Sequence, residues 1–315
     1  MGGRVVLILA LAAAGLGVLA APVDTPPPAG PVATPGPLPT AGPAPLSGQG
    51  TAPAPLAVRL DDPHDVVRVE FDHPPRAGLL FDLNTGRVLW RRHPSRVLPI
   101  ASLTKMMTAL LVVERVPRHG RVRITPATLR YRGSGVGLLP RGRLIGVEKM
   151  LHGLLLPSGN DAAIALAQRA AGGSQRRFVR LMNQRARAMG LTCTRFSTPS
   201  GIRDAGNHSC AGDLAALGRA VLQSPRLARI VRRRKAVLPF PIAGGRLYLY
   251  NTNPLLQAGY RGTTGVKTGY TEAAGRCLVA TARRGVRRLG VVLLHSPDPG
   301  RQARRLLDRG FAANR

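Results

Sequence analysis

Strand patterns lie at both ends of the folded part of this chain, and helical patterns fill its middle. Residues 77–91 alternate around Asn84-Thr85-Gly86, which predicts a β-hairpin. The links between the later strands are rich in glycine and arginine and too short for a helical crossover, so the sheet should be antiparallel. These later strands are predicted at 247–250, 265–269, 276–282 and 289–294.

The middle of the chain has the apolar periodicity of helices. Helices are predicted at about 102–115, 147–156, 161–171, 176–189 and 213–222, and a last one at 300–311. Strands at both ends with helices between them imply that the N-terminal hairpin joins the C-terminal strands. The sequence thus predicts an α+β fold, with an antiparallel sheet flanked by helices and a central all-helical subdomain.

The first 60 residues differ from the rest. An unbroken apolar run follows Arg4, which indicates a signal peptide or an uncleaved signal anchor at residues 1–21. Residues 22–60 read as a proline-rich disordered linker, because 12 of the 28 prolines lie at 22–58 with few groups that could form a core. The folded domain is then 61–315, and we expect it outside the cytoplasm, either secreted or held by an N-terminal anchor.

The formal net charge of +31 favours anionic partners. Nucleic acid fits poorly, because the basic residues are spread along the folded region and aromatic residues make up only 4%. We expect no nucleic-acid partner and instead a contact with anionic lipid or wall polymer. A polyanion-binding module is an alternative hypothesis, and it predicts salt-sensitive DNA binding that survives Ser102→Ala.

Three cysteines in an exported chain allow one disulfide and one free thiol. Cys193 and Cys210 are the expected pair, since both lie in one loop-rich segment, whereas Cys277 lies in a strand pattern. The seven histidines do not cluster at ligand spacing, and no C-x-x-C pattern occurs. The sequence therefore predicts neither a metal nor a cofactor.

Ser102 and Lys105 lie three residues apart at the start of an apolar helix, which puts the hydroxyl and the amine on one face. Burial in such a helix lowers the pKa of a lysine, so Lys105 becomes a candidate base for a serine nucleophile. All but four of the 46 positive charges are arginines, which cannot act as bases. The competing interpretation is a helix-capping serine followed by a surface lysine.

Two further short motifs come later in the chain. Ser158-Gly159-Asn160 lies in a turn before a helix, where serine and asparagine also serve as ordinary caps. Lys267-Thr268-Gly269 lies in a strand, and its glycine would let another backbone approach closely. Either motif alone also fits a structural role.

The three motifs in this order are far more specific together than singly. The chain resembles the low-molecular-mass penicillin-binding proteins in the order of these motifs and in the sequence that flanks them. The flanking sequence includes Pro-Ile-Ala-Ser-Leu-Thr-Lys and Gly-Val-Lys-Thr-Gly-Tyr. These proteins form the D-alanyl-D-alanine carboxypeptidase family of the β-lactamase and DD-peptidase superfold. The resemblance covers roughly residues 76–311 and implies that fold.

The resemblance also implies an activity. Ser102 would attack the carbonyl between the two terminal D-alanines of a peptidoglycan stem peptide, and Lys105 would take its proton. β-Lactam antibiotics would acylate the same serine. The enzyme would work in the cell envelope, as a carboxypeptidase without a cofactor.

Roles for the remaining site residues follow from the same resemblance. Ser158 and Lys267 would relay a proton to the leaving amine, and Asn160 would orient Lys105 and the substrate. The other implied sites are a carboxylate site and an oxyanion hole. The carboxylate site would comprise Lys267, Thr268, Gly269 and, more loosely, Arg301, and the oxyanion hole would comprise the backbone N–H groups of Ser102 and Tyr270.

Several alternatives share these residues. A DD-endopeptidase or a transpeptidase would use the same groups, and a wall or penicillin sensor would be acylated without turning over. A β-lactamase-like hydrolase is less favoured, because no glutamate motif for deacylation is recognisable, and we expect slow β-lactam release. Histidines form no motif with Ser102, and Gly133, Gly135 and Gly137 are interpreted as an active-site rim.

Overall fold

The computed structural model describes residues 56–62 and 64–313. The predicted signal segment at 1–21 and most of the predicted linker lie outside these residues. The last part of that linker, 56–60, lies on the folded domain, because the apolar side chains of Leu56, Val58 and Leu60 pack against its core. Among the described helices, none combines the length and the apolar character needed to cross a bilayer.

The strands fall into one large sheet and several two-residue to five-residue pairs. They are β1 (Ala77–Asp82), β2 (Val88–Arg92), β3 (Leu98–Pro99), β4 (Arg121–Arg123), β5 (Leu144–Gly146), β6 (His208–Ser209), β7 (Lys235–Pro239), β8 (Arg246–Tyr250), β9 (Thr263–Thr271), β10 (Gly275–Arg284) and β11 (Arg287–Ser296).

The helices fill the span between the hairpin and the late strands, and one follows the last strand. They are α1 (Lys105–Arg115), α2 (Pro126–Leu129), α3 (Val147–Leu155), α4 (Asn160–Ala170), α5 (Gln175–Ala188), α6 (Ala211–Gln223), α7 (Pro225–Val231), α8 (Pro254–Gln257) and α9 (Pro299–Ala312).

The large sheet has the order β2-β1-β11-β10-β9, and all of its pairings are antiparallel. The N-terminal hairpin joins the C-terminal strands through β1 and β11, as predicted, with Ala77 opposite Leu294. The predicted strand at 247–250 corresponds to β8, which pairs only with β7 in a separate ribbon. Its alternating burial explains this position, since a strand exposed on every second residue fits a surface ribbon.

Each face of the sheet covers its own apolar core. One face packs its alternate side chains, such as Leu80 and Val291, under Leu306 and Leu307 of α9. The other face packs against the helical subdomain, whose centre is α1. Eight consecutive residues of α1, Lys105 to Val112, are buried. The N-terminal end of α1 is therefore fixed where the helical subdomain meets the sheet.

Candidate active site

Ser102 lies in a tight 3-10 turn, Ala101–Thr104, that leads directly into α1. The predicted α-helix from residue 102 thus begins at Lys105, one turn later. Ala101 has φ of +46°, a strained value for a residue with a side chain. The hydroxyl of Thr104 bonds Ala101 O at 2.8 Å and Asn207 Oδ1 at 2.9 Å, which fixes the turn from within.

Lys105 is completely buried, and its amine lies among oxygen atoms from three different segments. Nζ is 2.7 Å from Ser102 Oγ, 2.7 Å from Asn160 Oδ1 and 2.8 Å from the backbone oxygen of Ser200. Burial lowers the pKa of Lys105 far below its ordinary range, and the nearby charge of Lys267 adds to this, whereas Asp161 opposes it. The predicted hydroxyl–amine pair is therefore present.

The turn 158–160 supplies the second wall of the site. Ser158 has φ of +67°, and its buried Oγ has no hydrogen-bond partner among the described residues. The amide of Asn160 is held at both ends, because Oδ1 accepts from Lys105 and Nδ2 donates to the backbone oxygen of Arg132. This clamp fixes which end of the amide faces the lysine.

The third motif lies on the edge strand β9. Lys267 is 1% exposed, and burial lowers its pKa to about 7. Its Nζ donates to the backbone oxygen of Thr268 at 2.9 Å, and the Thr268 hydroxyl is 2.6 Å from that of Thr252. A Cβ on Gly269 would lie 2.9 Å from Ile100 O and 3.1 Å from the Ser102 nitrogen. Only glycine lets the strand backbone come this close to the nucleophile turn.

These segments border one cleft of about 440 Å³. Ser102 and Ser158 line it from the helical side, and Thr268, Gly269 and Tyr270 line it from β9. Lys105, Asn160 and Lys267 lie buried behind this surface. Two buried amines, those of Lys105 and Lys267, thus lie beneath the surface of the cleft.

Arg301 is not brought into this cleft. It lies in the first turn of α9, its side chain is 82% exposed, and its Nε is 3.5 Å from Asp298 Oδ2. The arginine that does line the cleft is Arg276 on β10, whose Nη1 donates to Pro297 O at 2.7 Å. Sequence analysis missed Arg276 because cross-strand pairing with Tyr270, not a motif, brings it there.

The glycine-rich segment 132–137, which the sequence predicts as a rim, reaches the cleft through Ser134 and not through its glycines. The backbone oxygen of Ser134 accepts from the Asn160 nitrogen at 2.8 Å. The buried carboxylate of Asp161 accepts from the backbone nitrogens of Val136 at 2.9 Å and Gly137 at 3.1 Å. Burial raises the pKa of Asp161, and these N–H groups oppose that rise. Sequence analysis missed Asp161, although it directly follows the Ser-Gly-Asn motif.

Cys193 and Cys210 form a disulfide with Cα atoms 5.6 Å apart, the pairing that the sequence predicts. Asp213 lies beside them, and the three form a cluster of metal-ligand type among the described residues. Two of its three members are bonded to each other, so they lack the thiolates that a metal requires. Cys277 is a buried free thiol next to the cleft.

The fold and the site together define a class, a serine peptidase of the β-lactamase and DD-peptidase superfold in which a lysine neighbours the nucleophile. The family model of the D-alanyl-D-alanine carboxypeptidases (peptidase family S11) matches residues 67–298. The chain belongs to this family.

Known members are similar over most of the folded part. A D-alanyl-D-alanine carboxypeptidase of Bacillus subtilis is 33% identical over 77% of this chain and 64% of its own length. One from Mycobacterium tuberculosis is 36% identical over 77% of this chain and 84% of its own length. The crystal structure of a Streptomyces DD-transpeptidase superposes with a TM-score of 0.72 at 29% identity, covering 78% of this chain and all of that one. The chain thus spans less than two thirds of the Bacillus relative.

Proposed function

We propose that this protein is a serine-type D-Ala-D-Ala carboxypeptidase that removes the terminal D-alanine from peptidoglycan stem peptides. The observation that carries the proposal is the 2.7 Å contact between Lys105 Nζ and Ser102 Oγ at a fully buried amine. Such an amine loses its proton far more readily than a surface lysine. It can therefore act as the base that activates the serine.

An uncharged Lys105 amine can satisfy all three of its contacts. A neutral amine has two N–H donors and one lone pair. Asn160 Oδ1 and the oxygen of Ser200 can only accept, so they take the two N–H groups. The lone pair is then left for the Ser102 hydroxyl, which donates its proton as Oγ attacks the substrate carbonyl. The attack forms the Oγ–C bond of an acyl-enzyme and breaks the peptide bond to the terminal D-alanine.

The negative charge that develops on the carbonyl oxygen needs donors that are already in position. We assign these to the backbone nitrogens of Ser102 and Tyr270. The close approach of Gly269 to the Ser102 nitrogen supports the assignment, since it holds the two backbones side by side. A donor of this kind commonly contributes about 3–4 kcal/mol to transition-state stabilisation.

The two ends of the departing D-alanine meet different groups in this proposal. The unpartnered hydroxyl of Ser158 passes a proton to the leaving amine, with Lys267 behind it. The carboxylate is held by Lys267, Thr268 and the Gly269 backbone that lines the cleft, a combination of cation and hydroxyl suited to an anion. Arg276 lines the same cleft, whereas a role for Arg301 would require its side chain to leave Asp298.

β-Lactams should acylate Ser102 in the same way and leave slowly. We further propose an extracytoplasmic location in the cell envelope, which the Cys193–Cys210 disulfide supports, because disulfides persist in oxidising compartments. A contact with anionic lipid or wall polymer is supported by the exposed arginines of α5, namely Arg176, Arg177, Arg180 and Arg187.

The test is release of D-alanine from diacetyl-Lys-D-Ala-D-Ala by the full chain, compared with Ser102→Ala. We expect turnover in the wild type, none in the variant, and a peptidyl adduct on Ser102 in rapidly quenched samples. Penicillin labelling without D-alanine release would instead identify a sensor. Faster transfer to an added amine than to water would identify a transpeptidase.

A further inference from the structure

A second groove borders the catalytic cleft. It has a volume of about 840 Å³, compared with about 440 Å³ for the cleft. Tyr270 and Arg276 line both, so the two spaces share a border at the end of β9. Neither sequence motif nor proposed chemistry uses this groove.

The described side chains that line the groove include four basic ones and no acidic one. They are His73, Arg76, Arg276 and His295. The side chains of His73, Arg76 and Arg276 are exposed, so their charged or polar ends can reach a ligand. Arg276 uses one N–H on Pro297 O and retains others of its five donors. This lining suits a carboxylate, which arginine binds through paired charge-assisted hydrogen bonds.

The groove is also structurally fixed. His295 has φ of +49°, and a Cβ on Gly275 would lie only 2.8 Å from its Nδ1, so the ring is packed on the glycine backbone. The Arg76 backbone nitrogen donates to His295 O at 3.3 Å, which holds the residue before β1 against β11. Arg276 and His295 are therefore presented by β10 and β11, and Arg76 directly precedes β1 and is tied to β11 by its backbone.

The direction of β9 indicates which part of a substrate reaches the groove. If the terminal carboxylate lies at Lys267 and Thr268, the rest of the peptide extends along the strand towards Tyr270. A strand rises about 3.3 Å per residue, so Tyr270 lies about two residues, or roughly 7 Å, beyond Thr268. The residue that precedes D-Ala-D-Ala would then lie at the entrance of the groove.

We propose that this groove is a subsite for a carboxylate on the residue that precedes D-Ala-D-Ala, bound by Arg76 and Arg276. The inference rests on the proposed function, because that function sets the direction of the peptide. It makes the groove a specificity determinant that favours acidic over neutral stem peptides.

Binding to Ser102→Ala tests the subsite without turnover. The probes are N-acetyl-Glu-D-Ala-D-Ala and its isosteric glutamine counterpart, N-acetyl-Gln-D-Ala-D-Ala, measured by calorimetry in low salt. We expect the glutamate peptide to bind about tenfold more tightly, as for one charge-assisted contact. Adding Arg76→Gln should reduce the ratio of the two Kd values to about threefold or less. Adding Arg229→Gln, at an exposed arginine on α7, should leave the ratio unchanged.

Equal Kd values for the two peptides, no binding of either, or a glutamate preference that survives Arg76→Gln would each overturn the subsite. D-alanine release by the wild-type chain is measured in parallel on both peptides. If the wild-type chain releases no D-alanine but the glutamate peptide still binds more tightly, the proposed function is wrong and the subsite is retained. Failure of the function and failure of the subsite are therefore distinguishable.

Discussion

Two regions of the site each hold one completely buried lysine, but they surround it differently. Lys105 in the helical subdomain contacts oxygens from three segments, whereas Lys267 on the sheet edge donates to the backbone oxygen of its own neighbour, Thr268. Burial lowers both pKa values. The difference lies in what each amine faces: Lys105 Nζ contacts the Ser102 hydroxyl, from which it can take a proton, whereas Lys267 Nζ contacts only a backbone oxygen among the described residues and keeps N–H groups for an anion. Burial alone thus does not assign the role.

The largest expected effect comes from Lys105→Arg, which keeps the positive charge and removes the ability to act as a base. Lys105→Arg should lower kcat by about 10²–10⁴-fold with little change in KM, because arginine cannot give up a proton in the protein. Steady-state kinetics of D-alanine release measure this. Lys235→Arg, at an exposed lysine on β7, is the matched control and should behave like the wild type.

A kcat for Lys105→Arg within tenfold of the wild type would contradict the difference between the two lysines, because a positive charge at residue 105 would then be sufficient for activity.

The next effect tests the contact between the two regions. Gly269→Ala should lower kcat by about 10²–10³-fold, since the added Cβ would meet Ile100 O and the Ser102 nitrogen and move β9 away from the oxyanion donors. Thermal unfolding should show that the fold survives. Gly146→Ala provides the control, because a Cβ there meets no atom within 4 Å. Unchanged kcat in Gly269→Ala would remove the close approach from the mechanism.

The third effect is a pH dependence that belongs to Lys267 alone. Its pKa is lowered to about 7, so the free enzyme loses this ammonium as the pH rises through that value. KM for a peptide with a free terminal carboxylate should then rise by up to about tenfold per pH unit above 7, as expected for a single ionisation. The same peptide with a terminal amide should lack this rise, and Lys267→Arg should flatten it.

Lys105 gives the opposite limb of the profile. It must be neutral to act, so activity falls as the pH drops below its lowered pKa. A KM rise of equal size with the amide peptide would show that the alkaline limb does not report the carboxylate contact.

The smallest expected effect on activity concerns the Cys193–Cys210 disulfide, which stabilises a loop next to Lys105. The Cys193–Cys210 disulfide closes the loop that carries Ser200 and Asn207, both partners of the nucleophile region. Replacing both cysteines by serine should cost about 3 kcal/mol of stability for a loop of this length, while kcat falls less than tenfold. Denaturant unfolding and kinetics measure the two. A loss of activity without loss of stability would contradict this stabilising role.

Sequence patterns were sufficient for the sheet, its antiparallel pairing and the three motifs, because each of these is local or follows from strand order. They were insufficient for Arg276, which cross-strand pairing with Tyr270 brings to the cleft. They also placed β8 in the main sheet, since a strand pattern does not identify its partner. Asp161 was missed because its role depends on the fold bringing Val136 and Gly137 to its carboxylate.

The central claim is that the Lys105 amine is substantially uncharged beside Ser102. The chain has four lysines, so labelling lysine with ¹³C at Cε gives few enough NMR signals to follow each one through a pH titration. The signal that disappears in Lys105→Arg identifies the residue. We predict that this signal titrates well below 10.5, the ordinary pKa of lysine. A titration midpoint at or above 10.5 would contradict the account.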